Sequence, residues 1–208
     1  MRPDCSQADA AIGDLVAVLE SAGAVVLRWP LETIHVDAVA SWEDDGLPVI
    51  LIGAHVPADR QRFTMAHELG HAVMHDADAS EDQEREADAF ASEFLLPGEC
   101  LRVEWPINAS VETLIPVKRR WGLSLAALVR RALDLSLISE REYRAWNINL
   151  STTGMHRREP EPTQRENPTA LSNAIHAALD SGTSLDELAS RAYMYPREFE
   201  LTFLEETA

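Results

Sequence analysis

The chain has 208 residues, of which 46% are hydrophobic, so it can bury a sizeable core and global disorder is disfavoured. Its formal net charge is −17, and residues 1–100 carry 5 Lys and Arg against 20 Asp and Glu. Such an acidic half repels nucleic acid and suits a basic partner or a solvated surface. Two cysteines are too few for a disulfide scaffold, so Cys5 and Cys100 are expected to be reduced thiols.

The first hundred residues are predicted to combine helices with a small sheet. Residues 9–22 place apolar side chains at helical spacing, which indicates an amphipathic helix. Apolar or alternating runs predict three strands, at residues 23–30, 34–42 and 48–53, with a turn at Asp45-Gly46 before the third. The expected fold class is α+β, with a small mixed sheet of about three strands packed on a helical core and a mainly helical C-terminal part.

Two helices are predicted to follow the sheet as an antiparallel hairpin. The first covers about residues 59–76, and the Asp59 carboxylate could cap it. The second covers about residues 81–96 and begins at an S-x-x-Q capping box formed by Ser80 and Gln83.

The predicted domain organisation has four parts. Residues 1–100 form the core, 101–150 a helical subdomain packed on it, 151–168 a proline-containing linker or exposed loop, and 169–208 a small C-terminal helical segment.

An H-E-x-x-H motif lies in the first helix of the hairpin, where His67, Glu68 and His71 stand in F-T-M-A-H-E-L-G-H-A-V-M-H-D. Helix positions i and i+4 share a face, so both imidazoles can reach one ion at the ~2.0–2.1 Å of a zinc–nitrogen bond. Glu68 points about 100° away and can act as a general base on a metal-bound water. An ordinary helix with two histidines is the alternative, which the apolar pattern and the preceding strand disfavour. Glycine at position 70 makes the helix about 1 kcal/mol less stable than alanine would, so its presence indicates that another element packs closely against the helix there.

A hydrolytic zinc site also needs a third protein ligand and an open position for water. Counting residues outward from the turn of the hairpin places Glu86 opposite His71, with Glu84 as the alternative. Asp88 lies on a different side of the second helix from Glu86 and is a weaker candidate for the third ligand. His75 could be a fourth ligand of a closed structural site, although its distance from the ion disfavours this. The other histidines stand at no ligand spacing: His35, His55, His156 and His176.

The stretch R-F-T-M-A-H-E-L-G-H-A-V-M-H, followed by E-R-E-A-D-A-F-A-S-E-F-L-L-P, resembles the ImmA/IrrE family of zinc metallopeptidases over about residues 10–150. The resemblance implies a zincin-like, gluzincin-type core that binds Zn²⁺ through His67, His71 and Glu86, with Glu68 as the catalytic carboxylate. It also implies an intracellular protease that cleaves a helix-turn-helix transcriptional repressor. Cleavage would relieve repression in a stress response, a mobile element or a toxin–antitoxin-like system.

Two other functions stay open. A non-catalytic zinc-containing module would bind a repressor or antitoxin through the helical half, although such a module needs no carboxylate at Glu68. A DNA-binding helix-turn-helix in residues 110–146 would use Arg119, Arg120, Arg130 and Arg131, but the net charge of −17 favours a packed helical subdomain with solvated arginines. Because no signal peptide and no apolar stretch of about 20 residues occurs, the protein is expected to be soluble and cytoplasmic.

Overall fold

The computed structural model describes Cys5 and residues 11–31, 36–42, 46–75, 80–156 and 158–204. Within these ranges the chain forms three strands and ten helices: α1 (Leu15–Ser21), β1 (Val25–Trp29), β2 (Ala38–Ser41), β3 (Val49–Gly53), α2 (Ala58–Met74), α3 (Glu81–Leu95), α4 (Gly98–Glu104), α5 (Val111–Trp121), α6 (Leu125–Asp134), α7 (Glu140–Thr152), α8 (Ala170–Asp180), α9 (Leu185–Arg191) and α10 (Pro196–Phe203). The expected α+β class with a helical C-terminal part is confirmed.

The sheet is mixed and has the strand order β1-β3-β2. β3 runs parallel to β1 and antiparallel to β2, with Ile50 paired to both Val26 and Ala40. Side chains alternate between the two faces of a strand, and the alternate residues Ile50 and Ile52 are both buried. β2 lies at one edge of the sheet and contacts α2. Part of the predicted middle strand and the turn residue Asp45 lie outside the described residues.

One hydrophobic core extends from α1 to the end of α7. It includes Leu15 of α1, Met65 of α2, Trp121 of α5 and Leu128 of α6, each at most 1% exposed. Burying a large apolar side chain contributes roughly 1.5–3 kcal/mol. The helices and strands before residue 100 and the helices up to α7 after it therefore share a single hydrophobic core.

α2 and α3 form an antiparallel hairpin, since His67 contacts Asp88 whereas the later residue His71 contacts the earlier residue Glu84. The predicted capping box at the start of α3 is confirmed, with Ser80 and Gln83 bonded reciprocally. The expected cap of α2 is wrong, because the N-cap residue is Pro57 and no side chain of the described residues caps the helix. Asp59 is buried and pairs instead with Lys118, at 3.0 Å.

The polar segment between α7 and α8 is irregular in backbone but attached to the core. Glu159 lies 2.9 Å from the buried Lys118 Nζ and accepts a hydrogen bond from the amide of Leu125 at the start of α6. Glu166 pairs with Arg62 of α2, whose side chain is 5% exposed. Buried charges are costly unless they are paired, so these contacts hold the segment against α2 and α5.

Cys5 and Cys100 form a disulfide, which corrects the expectation of reduced thiols. Their Cα atoms lie 5.2 Å apart although 95 residues separate them in sequence. Only the folded chain brings Cys5 to α4, and nothing in the spacing of the two cysteines indicates this contact.

The three C-terminal helices have a small apolar cluster of their own, formed around the buried residues Ile175, Ala189 and Phe199. The Phe203 ring lies 6.3 Å from that of Trp29, which brings α10 beside β1. Among the described residues, no helix has the length and apolar character that a membrane crossing requires.

Candidate metal centre

Three donor groups converge where α2 faces α3. The Nε2 atoms of His67 and His71 lie 3.0 Å apart. The carboxylate of Glu84 approaches both of them, with Oε2 3.2 Å from His67 Nε2 and Oε1 3.3 Å from His71 Nε2. The two histidines stand on successive turns of α2, and Glu84 stands in the first turn of α3. Their geometry follows from the i, i+4 spacing on one helix and the antiparallel packing of the other.

One donor atom from each of the three residues lies within 4.8 Å of the other two, which is close enough for the three to share a metal ion. A zinc ion with bonds of about 2.0–2.1 Å holds its donors about 3.3–3.4 Å from one another. Two imidazole nitrogens and one carboxylate are also the donor set of a known class of catalytic zinc sites, in which a water takes the fourth position. His67, His71 and Glu84 could therefore hold a zinc ion.

Glu86, the expected third donor, does not join this group. Its carboxylate lies 3.0 Å from His75 Nε2 instead, and the structure brings Glu84, the alternative, to the two histidines. The face of α3 that packs on α2 carries the fully buried Ala87. Glu84 precedes Ala87 by three residues and shares its face, whereas Glu86 precedes it by one and points about 100° away. Counting residues from the turn predicts how far along α3 the third donor lies. It does not predict which face of α3 each residue occupies.

Asp88 holds the ring of His67 in place. His67 Nδ1 donates a hydrogen bond to Asp88 Oδ1 at 2.8 Å, which leaves the lone pair of Nε2 directed at the donor cluster. Carboxylates that accept from a ligating histidine fix its tautomer and orientation. Asp88 therefore orients a ligand and is not one itself, a role that the sequence-based prediction missed. The Glu84-x-x-x-Asp88 spacing, which places both carboxylates on one face, was the available signal.

The ionisation of the two histidines differs because their surroundings differ. The hydrogen bond to Asp88 raises the pKa of His67, whereas burial and the neighbouring His67 lower the pKa of His71. A metal binds the neutral imidazole, so metal binding at this centre must displace protons from His67 at acidic pH.

Glu68 lies beside the donor cluster without belonging to it. Burial raises the pKa of its carboxyl group, and His67 opposes that rise. Within the described part of the chain its carboxylate has no hydrogen-bond partner. A carboxylate that is held near the ion and not committed to another group can accept a proton from water.

A cavity of about 550 Å³ opens beside the centre. Phe63, one helical turn before His67, lines it together with Asp88, and Tyr143 of α7 and His156 also line it. One helical turn is about 5.4 Å, so the cavity lies within reach of a peptide residue next to the metal centre. His156 was predicted to be an ordinary histidine, because it stands 89 residues after His67 in the chain and no spacing pattern connects the two.

Comparison with known families gives a match that includes both helices of this centre, α2 and α3. The family model Peptidase_M78, described as the IrrE N-terminal-like domain, matches residues 19–133, which is more than half of the chain. The matched region extends from α1 into α6 and so includes α2 and α3. A comparison with curated proteins finds no match.

Proposed function

The chain belongs to the Peptidase_M78 family, and on that premise we propose that it is a zinc-dependent metalloendopeptidase that cleaves a partner protein. The observation that carries the proposal is the cluster of His67, His71 and Glu84, whose donor atoms lie within 4.8 Å of one another. Glu68 beside this cluster supplies the base that a hydrolase needs and that a purely structural zinc site does not.

The roles of the side chains follow from their positions. A bound zinc ion would lower the pKa of water and polarise a peptide carbonyl. Glu68 accepts the proton of the attacking water at its carboxylate and later delivers it to the leaving amine. Asp88 keeps His67 in the tautomer whose Nε2 is free to bind the ion.

The substrate is proposed to bind as an extended segment between β2 and the cavity. β2 is an edge strand next to α2, and an edge strand can pair with an added peptide strand through its backbone groups. Asp37, immediately before β2, also lines the cavity beside the metal centre. A peptide on this edge would carry one side chain into the cavity, against Phe63 and the ring of Tyr143.

The partner is proposed to be a helix-turn-helix transcriptional repressor in the cytoplasm, as the resemblance to ImmA/IrrE proteins implies. A basic DNA-binding protein would be attracted to an acidic chain with a net charge of −17. Direct contact of this chain with nucleic acid is disfavoured, because four arginines between residues 110 and 146 pair with carboxylates: Arg119 with Glu161, Arg120 with Glu104, Arg130 with Asp134 and Arg131 with Glu93.

The test is incubation of the zinc-loaded protein with a helix-turn-helix repressor from a neighbouring gene, followed by mass spectrometry of the products. We expect a single cut that chelation abolishes. Glu68→Gln should retain zinc and partner binding but lose about 10²–10⁴ in cleavage rate, because a positioned general base contributes that factor. Zinc binding without any cut, or a Glu68→Gln variant as active as wild type, would favour a non-catalytic binding module.

A further inference from the structure

We propose that His75 and Glu86 form a positioning pair that orients the ring of His71 from the side opposite the metal centre. The inference rests on the proposed zinc site. It gives Glu86 a function although its carboxylate does not reach the donor cluster.

The contacts form a continuous chain from α3 back to the centre. His75 Nδ1 lies 3.0 Å from His71 Nδ1, and His75 Nε2 lies 3.0 Å from Glu86 Oε2. The side chain of His75 is only 5% exposed, whereas that of Glu86 is 64% exposed. α2 ends at Met74, and the extended backbone of His75 (φ −127°, ψ 131°) lets its ring meet the edge of His71.

The placement of protons on these rings follows from their partners. To bind a metal through Nε2, neutral His71 must carry its proton on Nδ1 and donate it to His75 Nδ1. His75 must then accept at Nδ1 and carry its own proton on Nε2. The Glu86 carboxylate can only accept, so it stabilises this tautomer of His75. The tautomer of His71 thus depends on that of His75, which in turn depends on Glu86.

His67 and His71 are thereby held by α3 in two different ways. His67 donates directly to Asp88, whereas His71 donates through His75 to Glu86. His75 cannot be a fourth ligand in this arrangement, because it contacts the edge of His71 that carries Nδ1 and not the one that carries Nε2.

The decisive experiment compares two amide substitutions at the same position. His75→Asn places an amide oxygen near the position of Nδ1 and can still accept from His71, whereas His75→Gln places its oxygen near the position of Nε2 and cannot. Competition with a chromophoric chelator measures zinc affinity. We expect His75→Asn to stay within about 3-fold of wild type and His75→Gln to bind about 10–100-fold more weakly, the range for groups that orient a ligand.

Glu86→Ala supplies a second variant at an exposed position, where the fold tolerates the change. It should weaken zinc binding and should also alter the tautomer of His75. Long-range ¹H–¹⁵N correlation spectra of zinc-loaded, histidine-labelled protein report the tautomer directly. We expect the Nε2–H form of His75 and the Nδ1–H form of His71 in wild type, and loss of the pure Nε2–H form of His75 in Glu86→Ala.

The outcomes separate this inference from the proposed function. If wild type binds no zinc, the metal centre itself is wrong. If wild type binds zinc while His75→Gln and Glu86→Ala match its affinity, or if His75 carries its proton on Nδ1, the positioning pair is overturned and the metal centre stands.

Discussion

Replacing Gly70 by alanine probes how closely α2 and α3 pack at the metal centre. A Cβ at this position would lie 3.1 Å from Phe90 Cδ1, 3.2 Å from Ala87 Cα and 3.3 Å from Ala87 O. These distances are shorter than the roughly 3.5–4.0 Å of a good carbon contact. Alanine would gain about 1 kcal/mol of helix propensity, whereas overpacking costs about 1–3 kcal/mol. Because two of the three contacts are backbone atoms, we expect a net loss of about 1 kcal/mol.

Urea unfolding of the metal-free protein measures this loss. Val73, which is 64% exposed on the same helix, supplies the control, since Val73→Ala should be about 1 kcal/mol more stable than Val73→Gly. Gly70→Ala should have the opposite sign and should also weaken zinc binding, because a shift of α3 moves Glu84 away from the histidines. If alanine at position 70 stabilises the protein by about 1 kcal/mol, the two helices are not in close contact there.

Glu84→Ala should abolish stoichiometric zinc binding in equilibrium dialysis, whereas Glu86→Ala should still bind one equivalent at saturating zinc; the reverse result would restore Glu86 as the ligand. Zinc at 100 times its Kd should stabilise the wild-type protein by about 2.7 kcal/mol, and EDTA should lower Tm accordingly, so a Tm insensitive to EDTA would contradict the site. Burial raises the pKa of Glu68 above its ordinary value of 4.5, so its basic form is lost as pH falls through that higher value. A carboxyl ¹³C NMR titration of the metal-free protein should therefore place the midpoint of Glu68 above pH 4.5, and a midpoint at or below pH 4.5 would show that its carboxyl group is not desolvated. Lys118→Met leaves the carboxylates of Asp59 and Glu159 buried without their cation. The free energy of unfolding, measured in urea, should therefore fall by about 3–5 kcal/mol. A fall below about 1 kcal/mol would show that the two carboxylates need no counter-charge.

The sequence by itself determined the features that depend on local spacing. The i, i+4 separation of His67 and His71 places both rings on one helical face wherever the helix lies. The Ser80 capping box starts α3 through contacts within four residues, and the cost of Gly70 indicated a close neighbour before Ala87 was known to be that neighbour. The family resemblance also rested on such short, contiguous patterns.

Only the tertiary structure decided which acidic residue meets the histidines. Glu84, Glu86 and Asp88 are all plausible from sequence, and their roles depend on the rotation of α3 about its axis. That rotation is set by the packing of Ala87 on Gly70, a contact between helices that no local pattern specifies. The same holds for the Cys5–Cys100 disulfide, the attachment of Glu159 to Lys118 and the presence of His156 in the cavity wall. Each joins residues far apart in the chain, and burial of the shared core brings them together.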